Sequence, residues 1–139
     1  MFADNVLPSI LVHLGVIDLS TASPALAGLF PGAGADPTLL SALFAAAPVP
    51  TPSGAADAVP IVDGPVLTPA QSYVLRAAAI DACERIVARA HAMGEAGCGA
   101  PWLRGVTPPA LDNWLWAVAK DRADYRALPR FVLRNTPFF

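Results

Sequence analysis

Side chains able to do chemistry are few in this sequence, and they cluster near its two ends. Asp4 stands beside Asn5 at the expected start of a helix, and Asp112 lies one helical turn before Trp116. Carboxylates can stabilise or activate a reacting centre, aromatic rings stack on flat ligands, and arginines pair with anions. The candidate anion-binding residues are the arginines that recur at four-residue spacing near the C-terminus: Arg126, Arg130 and Arg134.

Each of these residues also has a purely structural interpretation. An aspartate at a helix start is commonly an N-cap, and a carboxylate in the first turn, as expected for Asp112, favours the helix dipole. Tryptophans of a predicted helix, here Trp114 and Trp116, commonly pack in a core. Basic residues on C-terminal helices often form a solvated face. The spacing alone leaves both interpretations open.

The sequence lacks the motifs of several well-known classes of enzyme. It contains no Gly-rich phosphate loop, no HExxH, no nucleophile elbow and no Ser-His-Asp set. Cys83 and Cys98 lie fifteen residues apart without a CxxC motif, and only His13 and His91 could complete a zinc site. We therefore expect no metal and no organic cofactor, and we interpret both cysteines as thiols in a reducing compartment.

The composition is apolar and the charge is unevenly distributed. Apolar residues make up 55% of the chain, and charged residues 14%, against about 25% in an average soluble domain. Residues 1–75 contain five acidic and no basic residues, whereas residues 76–139 contain nine basic and six acidic ones. The net charge of −2 argues against direct nucleic-acid binding. The apolar excess predicts self-association or a partner chain.

The elements that position these residues are predicted to be mainly helices. Asp36, Thr68 and Thr107 each precede a proline, which is typical of an N-cap followed by the first helical residue. Helices are predicted to begin after Asp4 and after each of these caps, the third running from Pro69 to Met93 and the fourth to about Lys120. Gly94, Gly97 and Gly99 are expected to end the third helix.

The fold class expected from this pattern is all-α. We predict a single helical domain over 1–139, forming part of a larger fold, with a Pro/Gly/Ala-rich connector at about 48–66. The segment VPIVDG at 59–64 is the only candidate strand. The N-terminus lacks the basic region of a signal peptide, and prolines interrupt the longest uncharged window at 37–56. We therefore expect a cytoplasmic protein without a membrane span.

Four segments, in order, resemble the queuosine 5'-phosphate N-glycosylase/hydrolase family, the queuosine salvage proteins. The N-terminal segment FADNVLPSILVHLG is similar to the family pattern FAD-(N/Y)-x-x-P-x-x-L-x-x-x-G. VLRAAAIDACERI resembles its arginine-containing helix, with Arg76 and Glu84 in register. LDNWLWAVAKDR matches an LD-aromatic-aromatic-LW segment at Leu111, Asp112, Leu115 and Trp116. The terminus RNTPFF takes the place of a family ending that closes on two aromatic residues.

This resemblance implies a fold akin to helical DNA glycosylases and the hydrolysis of queuosine 5'-monophosphate to release queuine for tRNA modification. It makes Asp4 the catalytic residue. A carboxylate can stabilise, trap or hydrolyse the oxocarbenium-like ribose that bond cleavage leaves. From the chemistry of the side chains we further expect a flat heterocycle to stack on Trp114 or Trp116 and an arginine such as Arg134 to pair with the 5'-phosphate. The predicted substrate-binding residues are Asn5, Asp112, Trp116 and Arg134.

The resemblance covers only the C-terminal portion of the family. Val74 and Ala117 replace acidic residues of the family, and the segment FVLRNTPFF lacks its histidines. The alternative hypothesis is therefore a non-catalytic remnant, or a subunit that needs a missing N-terminal half or a partner chain.

Overall fold

The computed structural model of this chain describes residues 4–45, 60–97 and 100–134. The protein is mostly helical, with 59% helix and 6% strand. Within the described ranges, every helix is too short or too polar to cross a membrane. In chain order the elements are α1 (Val6–His13), α2 (Pro24–Ala27), α3 (Pro37–Phe44), β1 (Asp63–Val66), α4 (Pro69–Glu95), a 3₁₀ helix (Pro101–Gly105), α5 (Pro108–Asp121), α6 (Ala123–Arg126) and β2 (Arg130–Val132).

The predicted cap-then-proline signals begin three of these helices. The Thr68 hydroxyl accepts a hydrogen bond from the Gln71 N–H, and the Gln71 side chain accepts one from the Thr68 N–H, so α4 starts with a complete capping box. Single caps begin the other two helices: the Thr107 hydroxyl accepts from the Ala110 N–H at the start of α5, and the Asp36 carboxylate accepts from the Thr38 N–H at the start of α3. These helix starts follow from local chemistry alone.

The predicted end of α4 is wrong at Gly94. This glycine lies inside the helix, which continues to Glu95, whereas Gly97 adopts a positive φ of 71° beyond the helix end. A Cβ on Gly94 would lie 2.8 Å from Arg104 Cγ and 3.2 Å from Arg104 N. Gly94 therefore allows the 3₁₀ helix to pack directly against α4, rather than ending α4. Residues 98 and 99 lie outside the described residues, and with them the prediction for Gly99.

The core is built around α1. Every residue from Val6 to Val12 is buried, and α1 packs against α4, α5 and β2. One apolar cluster joins α1 to α4, α5 and α6 through residues such as Leu11, Cys83, Leu115 and Tyr125. Burial of these side chains is the main driving force for bringing the distant helices together.

The mostly helical fold that the sequence predicts also contains one small sheet. Strands β1 and β2 pair in parallel, with Asp63 opposite Arg130 and Val66 opposite Val132. A Cβ on Gly64 would lie 2.8 Å from the Arg130 carbonyl oxygen, so this close pairing requires glycine. The end of the predicted connector, at 63–66, is therefore a strand that partly overlaps VPIVDG. The rest of the connector up to residue 59 lies outside the described residues.

Candidate functional site

Three residues singled out from the sequence line one pocket. The pocket has a volume of about 240 Å³, and its described lining consists of Asp4, Asp112, Asn113 and Trp116. Asp4 lies just before α1, and the other three residues lie on α5. The packing of α5 against α1 therefore brings two carboxylates to one pocket from opposite ends of the chain.

The Asp4 carboxylate is fixed by the first turn of α1. Its Oδ1 accepts hydrogen bonds from the N–H groups of Val6 at 2.8 Å and Leu7 at 3.3 Å. The N-cap position of α1 is Asn5, and the Asp4 side chain supplies the capping hydrogen bonds that the structural interpretation expected. Both bonds are made to Oδ1, so the cap does not use Oδ2. Capping and a role in the pocket are compatible for the same carboxylate.

A row of polar side chains, from Asn5 just before α1 to the last residue of α1, binds the backbone at and beside β2. Asn5, Ser9 and His13, spaced by four residues, form what we call the α1 polar row. The Asn5 amide nitrogen Nδ2 donates to the Phe131 carbonyl oxygen at 3.0 Å, and the Phe131 N–H donates to Ser9 Oγ at 3.2 Å. His13 Nε2 lies 2.8 Å from the Pro129 carbonyl oxygen. The structure thus places Asn5, a predicted substrate-binding residue, in contact with β2.

Asp112 is the more enclosed of the two carboxylate residues. Its exposed fraction is 9%. The expectation that it occupies the first turn of its helix is wrong, because α5 begins at Pro108 and Asp112 is the fifth helical residue. Burial and the nearby Asp112 charge together raise the pKa of the Cys83 thiol to about 11. The buried Cys83 thiol is therefore neutral, which disfavours reaction as a nucleophile.

Trp116 forms an aromatic wall of the pocket and remains 42% exposed, while the neighbouring Trp114 is 48% exposed. The interpretation of both tryptophans as core residues is therefore wrong. The Lys120 ammonium lies over the Trp116 ring, 4.1 Å from its centroid, in a cation–π contact. Asp112, Trp116 and Lys120 consequently form a row of anion, aromatic ring and cation along one face of α5.

The three spaced arginines have different surroundings. Arg134 is exposed just beyond β2 and is absent from the described lining of the pocket. Arg130 is buried, and its guanidinium donates to the Ala119 carbonyl oxygen at 2.7 Å. Arg126 donates to the Lys120 carbonyl oxygen at 3.3 Å. Arg126 and Arg130 therefore bind backbone groups near the end of α5.

A larger groove lies along α4, away from the two carboxylates. Its volume is about 760 Å³, and its lining is mostly apolar, with Arg85 and Arg89 among its charged residues. Sequence reasoning did not identify this groove, nor Asn113 in the pocket, nor the α1 polar row. The four-residue spacing of Asn5, Ser9 and His13 is a signal that could have identified the row. Among the described residues, no group of three His, Cys, Asp or Glu side chains could hold a metal ion.

No model of a known protein family matches this chain, and neither the curated proteins nor the solved structures include a significant match. The geometry of the pocket and the motifs quoted above are therefore the grounds for a functional proposal.

Proposed function

We propose that this chain is a cytoplasmic N-glycosidase that hydrolyses queuosine 5'-monophosphate and releases queuine, with Asp4 as its catalytic carboxylate. The observation that carries the proposal is the shared pocket of Asp4, Asp112 and Trp116. These residues come from two separate segments that resemble the queuosine salvage family. Motifs far apart in the sequence that meet at one pocket support a common functional origin.

The chemistry of the pocket suits cleavage of a bond between a ribose and a base. As the base departs, positive charge develops on the ribose, and the Asp4 carboxylate can stabilise it, trap it covalently or activate a water. The departing base needs a proton or a hydrogen bond, and Asp112 and Asn113 are the other polar residues of the described lining, of which the Asn113 amide can donate. The Trp116 ring offers a surface on which a flat heterocycle can stack.

The size of the pocket limits which part of the substrate it can hold. Pockets for drug-sized ligands have volumes of about 300–1,000 Å³, whereas this one measures about 240 Å³. We infer that the described residues enclose the reacting centre of the nucleotide. The exposed Arg134, which the sequence assigns to the 5'-phosphate, lies outside that lining.

The test is the release of free queuine from queuosine 5'-monophosphate, measured by chromatography. Asp4→Asn should lower the rate at least about 100-fold, because asparagine keeps the helix cap but loses the negative charge. Asp36→Asn is the matched control, since Asp36 caps α3 through the same kind of N–H contact and lies away from the pocket. Asp36→Asn should retain the wild-type rate. Equal rates in the wild type and Asp4→Asn, or no release by the wild type, would overturn the proposal.

A second candidate function, a non-catalytic subunit that binds another copy of this chain, is favoured by the α4 groove. The groove is mostly apolar and carries Arg85, Arg89 and Asp81. Arg85 pairs with Asp81 at 2.8 Å, so Arg89 leaves the groove with a net positive charge, whereas residues 1–75 contain five acidic residues and no Lys or Arg. Three of these acids are exposed: Asp18, Asp36 and Asp63. The acidic half of one copy is thus complementary to the groove of another.

This candidate predicts a dimer or larger assembly in sedimentation velocity. Ala90→Glu, in the groove, should dissociate it, and the matched Ala88→Glu, on an exposed position of the same helix, should not. A monomer at all concentrations would contradict the subunit hypothesis.

A further inference from the structure

Strand β2 contacts α5, which lines the pocket, and α1, whose first turn is capped by the pocket residue Asp4. On one side, the peptide groups of Phe131 bind the α1 polar row through Asn5 and Ser9. On the other side, the Arg130 guanidinium binds the Ala119 carbonyl oxygen of α5 at 2.7 Å. Adjacent residues of one strand therefore connect the helix that follows Asp4 to the helix that carries Asp112.

Ser9 is the central residue of this connection. Its hydroxyl donates to the Asn5 carbonyl oxygen at 2.7 Å and accepts from the Phe131 N–H at 3.2 Å. Ser9 is 1% exposed and Phe131 is fully buried, so water cannot replace the hydroxyl without rearrangement. The contact joins the first turn of α1 to β2 at a buried point.

Asp4 moves with that first turn. Its carboxylate is bound to the N–H groups of Val6 and Leu7, and its neighbour Asn5 is bound through both its carbonyl oxygen and its side-chain amide. A shift of the turn relative to β2 would therefore move the Asp4 carboxylate relative to α5.

We propose that Ser9 is a positioning residue. By binding the first turn of α1 to β2, Ser9 fixes the distance between the Asp4 carboxylate and the Asp112 side of the pocket. This inference rests on the proposed N-glycosidase function and assigns Ser9 no contact with substrate. A displacement of about 1 Å at a reacting group can cost up to about 100-fold in rate. Loss of the Ser9 hydroxyl should consequently slow the chemical step while leaving substrate affinity largely unchanged.

The experiment compares Ser9→Ala with Ser72→Ala. Ser72 is a matched control, because it is also a helical serine, is also 1% exposed and lies on α4, outside the pocket lining. With queuosine 5'-monophosphate, Ser9→Ala should lower kcat about tenfold and change KM less than about twofold. Ser72→Ala should change neither, even where the two variants lose comparable thermal stability.

Amide hydrogen exchange gives a readout that needs no turnover. The Phe131 N–H should exchange faster in Ser9→Ala than in the wild type or in Ser72→Ala, because only Ser9→Ala removes its acceptor. Unchanged Phe131 exchange, or equal kcat values in the two variants of an active enzyme, would overturn the positioning role alone. Absence of queuine release by the wild type would overturn the proposed function and the role of Ser9 in it, whatever the exchange result.

Discussion

The two helices that position the pocket residues, α1 directly after Asp4 and α5, differ in how much of their surface is buried. In α1 every residue from Val6 to Val12 is buried. The α1 polar row, which includes the buried Ser9, is bound to the backbone at β2. In α5 only one face is buried, and Trp114 and Trp116 keep nearly half of their surface exposed. Asp4 therefore belongs to an enclosed element and Asp112 to a half-enclosed one.

This difference separates two requirements of a site. The enclosed helix holds its carboxylate in one place, because moving it would disturb apolar packing and buried hydrogen bonds together. The half-enclosed helix supplies an aromatic surface that a ligand can reach from solvent. We therefore expect substitutions in α1 to affect stability and activity together, and outward substitutions in α5 to spare stability.

The largest expected effect is a loss of stability from truncation in α1. Leu11→Ala removes most of a side chain that is 1% exposed at the centre of the apolar cluster, and should lower the free energy of unfolding by about 2–5 kcal/mol. Trp114→Ala, which truncates a larger but half-exposed side chain of α5, should cost less than about 1 kcal/mol. Urea denaturation measures both values. Equal losses in the two variants would show that α5 is as enclosed as α1.

Much of the helical framework could be predicted because its signals are local. The residue pairs Asp36-Pro37, Thr68-Pro69 and Thr107-Pro108 define three helix starts through side-chain caps and the fixed φ of proline. The Asp4 cap of α1 follows from the same local chemistry. None of these features depends on residues distant in the chain.

The remaining features depend on tertiary contacts. Strand β2 is three residues long and is stabilised by pairing with β1, more than sixty residues earlier, so its own sequence carries little strand signal. Gly94 is a residue type typical of helix ends, but in this protein it allows close packing against Arg104. The meeting of Asp4 with Asp112 was expected only from the family resemblance, because periodicity within one helix cannot place it against another.

An intermediate effect concerns the pH dependence of stability, and arises from the end of the α1 polar row. Burial lowers the pKa of His13 below its ordinary value of 6.5, although the hydrogen bond to the Pro129 carbonyl oxygen opposes this shift. Below pH 6.5 the unfolded chain therefore binds a proton more readily than the folded protein does. The His13 contribution to stability is complete above pH 6.5 and is lost as the pH falls through the lowered pKa.

Thermal melts from about pH 7.5 to about pH 5.5 should thus show a falling Tm, and His13→Gln should flatten this fall. His91→Gln is the matched control, because the His91 ring makes the same kind of contact with the Val106 carbonyl oxygen, and this variant keeps His13. The Tm of His91→Gln should therefore still fall through the His13 contribution. A wild-type Tm that stays constant or rises towards low pH would contradict the enclosed environment assigned to His13.

The smallest expected effect tests how weakly the aromatic wall on α5 is held. The Lys120–Trp116 contact lies near the helix surface, where a cation–π interaction contributes about 0.5–1 kcal/mol. Lys120 also lies in the last turn of α5, where its charge favours the helix dipole, so a single Lys120→Gln variant would combine the two contributions.

A double-mutant cycle with Trp116→Leu isolates the pair, because the dipole contribution is present with either residue at position 116. We expect a coupling energy below about 1 kcal/mol from urea denaturation, with Lys120→Arg close to the wild type. A coupling of several kcal/mol would mean that Trp116 is held as firmly as Asp4, and the contrast between a fixed carboxylate and an adaptable aromatic wall would no longer hold.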